Sequence, residues 1–329
     1  MNAKTLSSPF LSDLRDGDEF EGFYVVRESS FQIAVNGKNY IRMTLGDSSG
    51  SLVANLWDAN REIFQLCPSD SAIKILGLAE SYRGKTQVKI IRFRSAHESE
   101  IEPDRFIPKS SRNAEVMRDE TLAFLDSLTD VDYKAMGEAF FRDSELMNRF
   151  IRSPAARDVH HAWLGGLAEH TLAVTRLAAS FAETARVNRD LLVLGALLHD
   201  IGKTEELSAK LAIGYTDRGK LVGHLCIGVE MLTERAAGIP GFPSSKLRLL
   251  QHLILSHHGR LEFGSPVLPK IPEAFALHHL DNLDAKVETA NRLIDEMPNP
   301  EKRWTDYNRA LETALYRADG RDGGYPHEE

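Results

Sequence analysis

The spacing of apolar and polar residues changes character once along this chain of 329 residues. Residues 14–97 contain short runs rich in β-branched and aromatic side chains, separated by turn residues such as Asn36-Gly37. The runs are 20–26, 31–35, 40–45, 51–57, 72–79 and 86–93. Five or six such strands predict a small antiparallel β-barrel. Residues 59–66 are predicted to form a short helix between two of the strands.

Beyond this region the apolar residues recur at helical spacing. The helical segments are 116–128, 134–151, 161–186, 190–199, 224–236, 245–258 and 272–294. They predict an all-α second domain over 113–317, behind a first domain over 1–97. We interpret 98–112, a charged stretch with two prolines, as a linker and 318–329 as a flexible tail.

Composition limits the class of protein. Apolar residues make up 42% of the chain and charged residues 27%, which is the balance of a globular protein. The apolar run Leu191–Leu198 is too short to cross a bilayer, and the N-terminus lacks the apolar stretch of a secretory signal. Cys67 and Cys226 provide neither a disulfide framework nor a CxxC metal site. We expect a cytoplasmic protein with no membrane partner, and leave open whether it is a homo-oligomer.

Charge is distributed unevenly. The net charge is −8, which argues against a generally basic nucleic-acid binder. Residues 1–97 nevertheless hold twelve Lys/Arg against eleven Asp/Glu, and 81–97 contain five basic residues and no acidic one. The basic residues of that strip are Arg83, Lys85, Lys89, Arg92 and Arg94.

Histidines are concentrated in the helical region, where ten of the twelve lie between His160 and His279. His170 belongs to an apolar helical stripe, so its ring points inward. A second apolar helix ends in His199-Asp200. A buried helix that ends in an imidazole and a carboxylate must satisfy both groups. A metal ion does so with one partner, whereas hydrogen bonds alone are the simpler alternative.

Three further helical segments also point a histidine or aspartate side chain inward. Their residues are His224, the pair His257-His258, and Asp281, with Asp284 as the rival for the last position. Five converging segments are difficult to explain by packing alone. Imidazoles and carboxylates without thiolates suit divalent cations, one or two per chain, with Mn²⁺ preferred and Fe²⁺, Mg²⁺ or Co²⁺ as alternatives.

Two such ions could clamp a phosphate group for in-line attack. Asp200 could bridge the two ions, and Asp200 and Lys203 are the predicted catalytic residues. Lys203, one turn past Asp200, is placed to neutralise charge on a phosphoryl oxygen. A helix C-terminal cation is its simpler explanation.

The ordered set resembles the HD superfamily of metal-dependent phosphohydrolases, with the HD-x-G-K motif present as HDIGK (199–203). The resemblance covers roughly 155–295. It implies a metal-ligand set made up of His170, His199, Asp200, His224, one or both of His257 and His258, and Asp281.

Longer runs narrow the resemblance. HHAWLGGLAEHT (160–171), GYTDRGKLVGH (214–224) and LHHLDNLDAK (277–286) resemble the YhaM-type 3′→5′ exoribonucleases, which join an OB-fold to an HD domain. This implies hydrolysis of single-stranded RNA from the 3′ end, and single-stranded DNA is a further candidate substrate. The alternatives are an HD-type nucleotide or cyclic-nucleotide phosphohydrolase and a non-catalytic nucleic-acid-binding regulatory protein.

Substrate contacts are predicted at two places in the helical domain. His160 and His161 precede His170 and could touch phosphate or cap the helix. The polar segment 203–223 joins two ligand-bearing elements, so Tyr215 and Lys220 could contact substrate. A variable surface loop is the alternative.

The predicted barrel contains LGDSSG (45–50), which resembles a connection of the OB-fold, a fold that binds single strands with basic and aromatic side chains. The basic strip would follow phosphates. Trp57 and Tyr82 are the predicted stacking residues, with Tyr24, Phe31 and Tyr40 as further candidates. Core packing is the alternative for each aromatic residue. Alternation in 85–94 switches faces, which suggests a β-bulge.

Overall fold

The structure is a computed structural model that describes residues 8–82, 84–100, 103–157, 161–209, 211–297, 299 and 301–318. The chain divides into two compact units. The first comprises Met1–Ser111 with Ser208–Gly214, and the second Arg112–Leu207 with Tyr215–Glu329. Throughout the described residues, every helix is too short or too polar to span a lipid bilayer.

Five strands close into a barrel in the order β1-β2-β3-β5-β4. They are β1 (Glu19–Ile33), β2 (Asn39–Asp47), β3 (Gly50–Trp57), β4 (Ser71–Tyr82) and β5 (Lys85–Ser95). The predicted OB-fold-like barrel is confirmed. It is not wholly antiparallel, because β3 and β5 close it as a parallel pair, with Ala54 opposite Val88 and Asn55 opposite Lys89.

The first two predicted strands form one continuous strand, β1. Its first half pairs with β4 and its second half with β2, and the register shifts between Val26 and Glu28. Such a bulge bends a strand, so one strand can serve two neighbours around the barrel. The predicted helix at 59–66 is shorter, α1 (Arg61–Gln65), and Asn60 caps it by accepting from the Ile63 N–H.

A second bulge lies in β5 and confirms the predicted irregularity. Lys89 pairs with Leu78, whereas Arg92 pairs with Leu76, so Ile91 is the extra residue. Residues three apart on a regular strand point to opposite faces. The bulge therefore returns Lys89 and Arg92 to the same outer face.

The barrel interior settles the position of two candidate aromatics. Tyr24 is fully buried, and its hydroxyl donates to the Pro9 carbonyl at 2.8 Å. Burial raises the pKa of the Tyr24 hydroxyl. Phe31 packs against the barrel core. The hypothesis that Tyr24 stacks on bases is wrong, because its ring is needed to fill the core.

The predicted linker packs on the barrel through part of its length. Phe106 and Ile107 are buried. Arg27 donates to the Phe106 carbonyl at 2.9 Å, and the Ser48 N–H donates to the Arg105 carbonyl at 2.8 Å. This part of 98–112 is thus attached to the barrel and is not a free connection.

The second unit is built on helices, as predicted. They are α2 (Ala114–Asp126), α3 (Val131–Phe141), α4 (Ser144–Arg152), α5 (Gly166–Thr184), α6 (Arg189–Leu198), α7 (Lys203–Glu206), α8 (Asp217–Val222), α9 (His224–Ala237), α10 (Ser244–Ser256) and α11 (Pro272–Asp295). The segment predicted as one helix over 134–151 is two helices, because Asp143 caps α4 by accepting from the N–H groups of Glu145 and Leu146.

Two details of the helical region differ from the prediction. A two-stranded sheet, β6 (Leu207–Ala209) and β7 (Ile213–Tyr215), lies between α7 and α8 in the chain, and Ser208–Gly214 belongs to the first unit. Helix α5 begins at Gly166 and not at residue 161, so His161 and Trp163 lie in the preceding turn. Helix α6 is buried from Asp190 to Leu198, and its apolar residues belong to the hydrophobic core. Of the predicted tail, 319–329 lie outside the described residues.

Candidate metal centre

The C-terminal ends of two helices present buried imidazoles toward each other. His199 directly follows α6, and His257 directly follows α10. In each residue the Nδ1 atom donates to the carbonyl three residues earlier, at 2.7 Å for Ala196 and 2.8 Å for Ile254. These bonds fix the tautomer, so both Nε2 atoms face the centre as metal-ligating nitrogens do.

One group of donor atoms forms around His170 on α5. Its Nε2 atom lies 3.1 Å from Asp281 Oδ1 and 3.3 Å from His199 Nε2. His170, His199 and Asp281 bring one ligand atom each to within 4.8 Å of one another. We call this cluster the first donor group.

A second donor group consists of His224, His257 and His258, whose ligand atoms meet the same 4.8 Å limit. The Nδ1 atom of His258 donates to the Phe263 carbonyl at 2.9 Å, which leaves its Nε2 atom available. Both His257 and His258 thus belong to the second donor group.

Asp200 lies between the two groups. Its Oδ2 atom is 3.4 Å from His199 Nε2, and its Oδ1 atom is 3.6 Å from both His224 Nε2 and His257 Nε2. Lys203 donates to Oδ2 at 2.6 Å. Each oxygen of this carboxylate faces a different donor group, which is the arrangement of a bridging ligand.

Two further carboxylates support the imidazoles from behind. Asp284 Oδ2 accepts from His170 Nδ1 at 2.6 Å and lies 3.3 Å from His161 Nε2. Glu206 Oε1 accepts from His224 Nδ1 at 3.0 Å. Between the rivals for the final ligand position, Asp281 thus faces the donor atoms, whereas Asp284 lies on the other side of the His170 ring.

The glycine of HDIGK has a packing role. A Cβ atom on Gly202 would lie 2.1 Å from the His224 carbonyl oxygen and 2.8 Å from the Gly228 nitrogen. Only glycine lets the segment after Asp200 approach the start of α9 this closely. Close approach brings His224 to Asp200.

Electrostatics favour ionised carboxylates and neutral imidazoles at His257 and His258, whereas at His170 the carboxylates of Asp281 and Asp284 outweigh burial and raise the pKa to about 10. Burial opposes the ionised form of Asp200, but Lys203 and the imidazoles outweigh it and hold the pKa of this carboxyl well below its ordinary value. The pKa values of Asp281 and Asp284 are also lowered, because the histidines offset the burial. Burial lowers the pKa of His257, and burial with His257 nearby lowers that of His258 to about 4. Ionised carboxylates and neutral imidazoles are the ligand forms.

The fit of a cation can be judged from two buried atoms of the centre. Asp200 Oδ1 and His224 Nε2 make no hydrogen bond within the described part of the chain. Their separation of 3.6 Å is too long for a hydrogen bond but suits two ligands, each about 2.1 Å from one ion. Buried polar atoms without partners are costly. The donor set therefore fits a divalent cation.

Among the predicted substrate residues, His161 lies beside the first donor group, since His161, His170 and Asp284 bring one ligand atom each to within 4.8 Å of one another. His160 falls outside the described residues. His161 is buried and contacts Asp284. Tyr215 ends β7 and Lys220 lies on α8, and both side chains are exposed. The structure places neither one at the donor groups.

Apart from Tyr24 and Phe31, the barrel candidates that the structure describes lie on the outside of the barrel, and Arg83 falls outside the described residues. Trp57 is 42% exposed and stacks on Tyr40 with ring centroids 4.8 Å apart. Alternation along β3 puts Trp57 on the face of Asn55, which pairs with Lys89. Lys85 and Tyr82 pair at the end of the β4–β5 hairpin, where both are exposed.

Arg92 and Arg94 differ in their surroundings although both are exposed on β5. Arg94 makes two bonds to the Glu100 carboxylate, at 2.6 and 2.7 Å, and lies over the Phe23 ring. The Arg94 guanidinium is thus already engaged within the chain.

Glu206 is the residue of this site that the sequence did not reveal. It stands beside Glu205 in a polar stretch, and the printed sequence does not distinguish the two. Only the fold separates them, since Glu206 contacts His224, whereas Glu205 pairs with Arg218 near the surface.

The residues of this centre lie in a segment that matches a known protein family. Residues 167–286 match the HD domain family. The match includes both donor groups, Asp200, Asp284 and Glu206.

Curated relatives extend the similarity to most of the chain. A protein of Geobacillus sp. (strain WCH70), named 3′-5′ exoribonuclease YhaM, is 33% identical over 302 residues, which cover 91% of this chain and 92% of the relative. The protein of the same name from Bacillus subtilis (strain 168) is 34% identical over 302 residues, 91% of this chain and 95% of the relative.

Solved structures resemble the barrel region. The second OB-fold domain of replication protein A from Methanococcus maripaludis has a TM-score of 0.24 and 12% identity, over 28% of this chain and 96% of that one. A single-stranded DNA binding protein from Thermus aquaticus has a TM-score of 0.23 and 14% identity, over 24% of this chain and 40% of that one.

Proposed function

Because the chain belongs to the YhaM family of 3′-5′ exoribonucleases, we propose that it shortens single-stranded RNA stepwise from the 3′ end. The chain is a phosphodiester hydrolase, and its HD domain implies binding of a divalent metal. We extend this to a metal-dependent reaction, and to single-stranded DNA as a second substrate. A cytoplasmic location suits such a substrate.

The position of Asp200 between the two donor groups carries the proposal. Its two oxygens face different sets of imidazoles, at 3.4 and 3.6 Å, so the chain can hold two ions around one carboxylate. When bound, such ions lower the pKa of water and stabilise charge on phosphate oxygens. Nitrogen and oxygen donors without thiolate are compatible with Mn²⁺, which we propose as the ion, with Fe²⁺, Mg²⁺ or Co²⁺ as alternatives.

Different residues of the centre have different roles in the proposed reaction. His170, His199 and Asp281 would hold one ion, His224, His257 and His258 would hold the other, and Asp200 would contribute to both. Lys203 lies with its ammonium group at Asp200 Oδ2 and can neutralise a phosphoryl oxygen of the substrate. Burial would lower the pKa of Lys203, but the Asp200 carboxylate outweighs burial and raises it, so the group stays cationic.

His161 supports the first donor group through Asp284. We retain His160, Tyr215 and Lys220 as proposed substrate contacts. Their test is the loss of affinity for RNA on substitution by alanine, with metal binding unchanged.

We propose that the barrel (1–97) holds the single strand and the helical domain (113–317) hydrolyses it. Trp57 provides a stacking surface, and Lys89 and Arg92 share the outer face of β5 where they can contact phosphates. Tyr82 and Lys85 extend these contacts to the β4–β5 hairpin, Arg83 is proposed with them, and Arg94 contributes least because Glu100 already binds it.

The test is degradation of 5′-labelled single-stranded RNA in the presence of Mn²⁺. Wild type should yield a ladder of shortened products, and Asp200→Ala should yield none. A rate in the variant equal to wild type would assign the activity to a contaminant. Release of product from mononucleotides but not from RNA would favour a nucleotide phosphohydrolase instead.

A further inference from the structure

Apart from the proposed substrate contacts Tyr215 and Lys220, the segment between Lys203 and His224 has no assigned role in the reaction, yet it places a buried carboxylate against the ligand His224. Glu206 ends α7 and is only 8% exposed. Its Oε1 atom accepts from both the backbone N–H and the Nδ1 atom of His224, each at 3.0 Å. One oxygen thus fixes the position of the residue and the orientation of its ring.

His224 depends on this contact more than the other imidazoles do on theirs. It is the first residue of α9, and it follows Gly223, whose φ is +78°. No side chain of the adjoining residues caps this helix end. By contrast, His199 and His257 are held by carbonyls of their own helices, which are part of the helical backbone.

Glu206 is itself held in place by the residues that follow it. Its carbonyl accepts from the Thr216 N–H at 2.9 Å, which ties the two ends of the β6–β7 hairpin together. A Cβ atom on Gly219 would lie 2.2 Å from the same carbonyl, so α8 can approach Glu206 only because glycine stands there. The carboxylate is therefore presented to His224 by a closely packed backbone.

We propose that Glu206 is a positioning residue that sets the tautomer and direction of His224, and thereby determines the affinity of the second donor group for its cation. The proposal rests on the proposed function. Asp284 holds the equivalent place behind His170 in the first donor group. Each group thus contains one imidazole oriented by a carboxylate and one oriented by a helix carbonyl. A carboxylate behind a ligating imidazole raises its basicity and fixes its ring.

The experiment measures Mn²⁺ binding to the full chain without any substrate. Metal-stripped protein is titrated with Mn²⁺, and free ion is followed by its electron paramagnetic resonance signal. Glu206→Ala should weaken one class of sites about 10- to 100-fold and leave the other unchanged. Glu206→Gln keeps an acceptor oxygen and should recover part of the loss. Glu205→Ala is the matched control, because Glu205 pairs with Arg218 instead, and it should bind as wild type does.

Combining substitutions shows whether Glu206 acts through His224. If it does, Glu206→Ala added to His224→Ala should weaken Mn²⁺ binding by less than twofold further, because the group it positions is gone. Thermal unfolding of each metal-free variant checks that the fold is retained, and Glu206→Gln serves if Glu206→Ala unfolds.

Two outcomes would overturn the proposal. The first is wild-type Mn²⁺ affinity in both Glu206 variants. The second is a full additional loss in the double variant. Failure of wild type itself to bind Mn²⁺ would instead contradict the proposed function, so the two failures are distinguishable.

Discussion

The barrel and the helical unit place their polar functional groups in opposite environments. In the barrel the interior is apolar, and the residues proposed to bind nucleic acid, such as Trp57 and Lys89, lie on the outer surface. In the helical unit the acid and imidazoles of the centre are inside, with His199 at 0% and Asp200 at 2% exposure. The same chain thus uses exposed groups for binding and buried groups for chemistry.

This difference predicts how each region responds to substitution. Buried polar groups have no contact with water and form hydrogen bonds only with one another. Removing one of them therefore leaves its partners without a hydrogen bond. Exposed groups are solvated with or without a ligand and contribute more independently. We therefore expect large, coupled effects in the helical centre and small, graded effects on the barrel surface.

After Asp200→Ala, which should abolish hydrolysis, the largest effect should come from Asp281. Asp281→Ala removes a donor oxygen 3.1 Å from His170 Nε2 and should reduce hydrolysis of RNA about 10³-fold or more. Asp284→Ala removes only the support behind His170 and should cost about 10- to 100-fold. Single-turnover rates at saturating Mn²⁺ measure both. Asp295→Ala, exposed at the end of the same helix, is the control. A larger loss for Asp284 than for Asp281 would exchange their roles.

Metal binding should stabilise one region and not the other. At about 1,000 times its dissociation constant, Mn²⁺ should raise the free energy of unfolding of the helices around the centre by about 4 kcal/mol. Hydrogen exchange should show slower exchange for amides of α6 and α10, which end at His199 and His257. The barrel strands should exchange at their former rates. Equal protection of the barrel would show that the two regions are not energetically separate.

A smaller effect is expected for stacking on the barrel. Trp57→Ala removes the exposed ring that stacks on Tyr40 and should weaken binding of single-stranded RNA on the order of 10-fold. Its effect on the rate constant at saturating RNA should be slight. Fluorescence anisotropy of a labelled strand measures the affinity. Trp304→Ala replaces a tryptophan of similar exposure outside the barrel, and a loss as large as that of Trp57→Ala would argue against a specific role.

The smallest effect should distinguish two basic residues of β5, Lys89 and Arg94. Lys89→Ala should reduce the slope of log affinity against log salt by about 0.7, the value for one phosphate contact with a single strand. Arg94→Ala should leave the slope unchanged, because Glu100 already binds its guanidinium. Affinity measured between low and physiological salt separates the two. Equal slopes in both variants would remove Lys89 from the proposed path.

The barrel and the helical unit also differ in how much of each could be predicted from the sequence. The helical centre was predicted because apolar stripes on several helices each ended in, or contained, a histidine or aspartate, and a buried polar residue is informative wherever it occurs. The barrel was predicted from its strands, but the set of residues that share the outer face of β5 was not. A bulge at Ile91 decides that Lys89 and Arg92 share one side, and the run of residues alone only shows that alternation fails there.

By itself the sequence determined the two-part architecture, the helices that carry the ligands and the order in which those ligands appear. The tertiary structure alone decided that β1 is a single bent strand, that Asp281 and not Asp284 faces the donor atoms, and that Glu206 and not Glu205 supports His224. The reason is physical. Periodicity along a chain reports which face of an element is buried, whereas the partner across the core comes from residues distant in sequence, and its identity depends on how the elements pack.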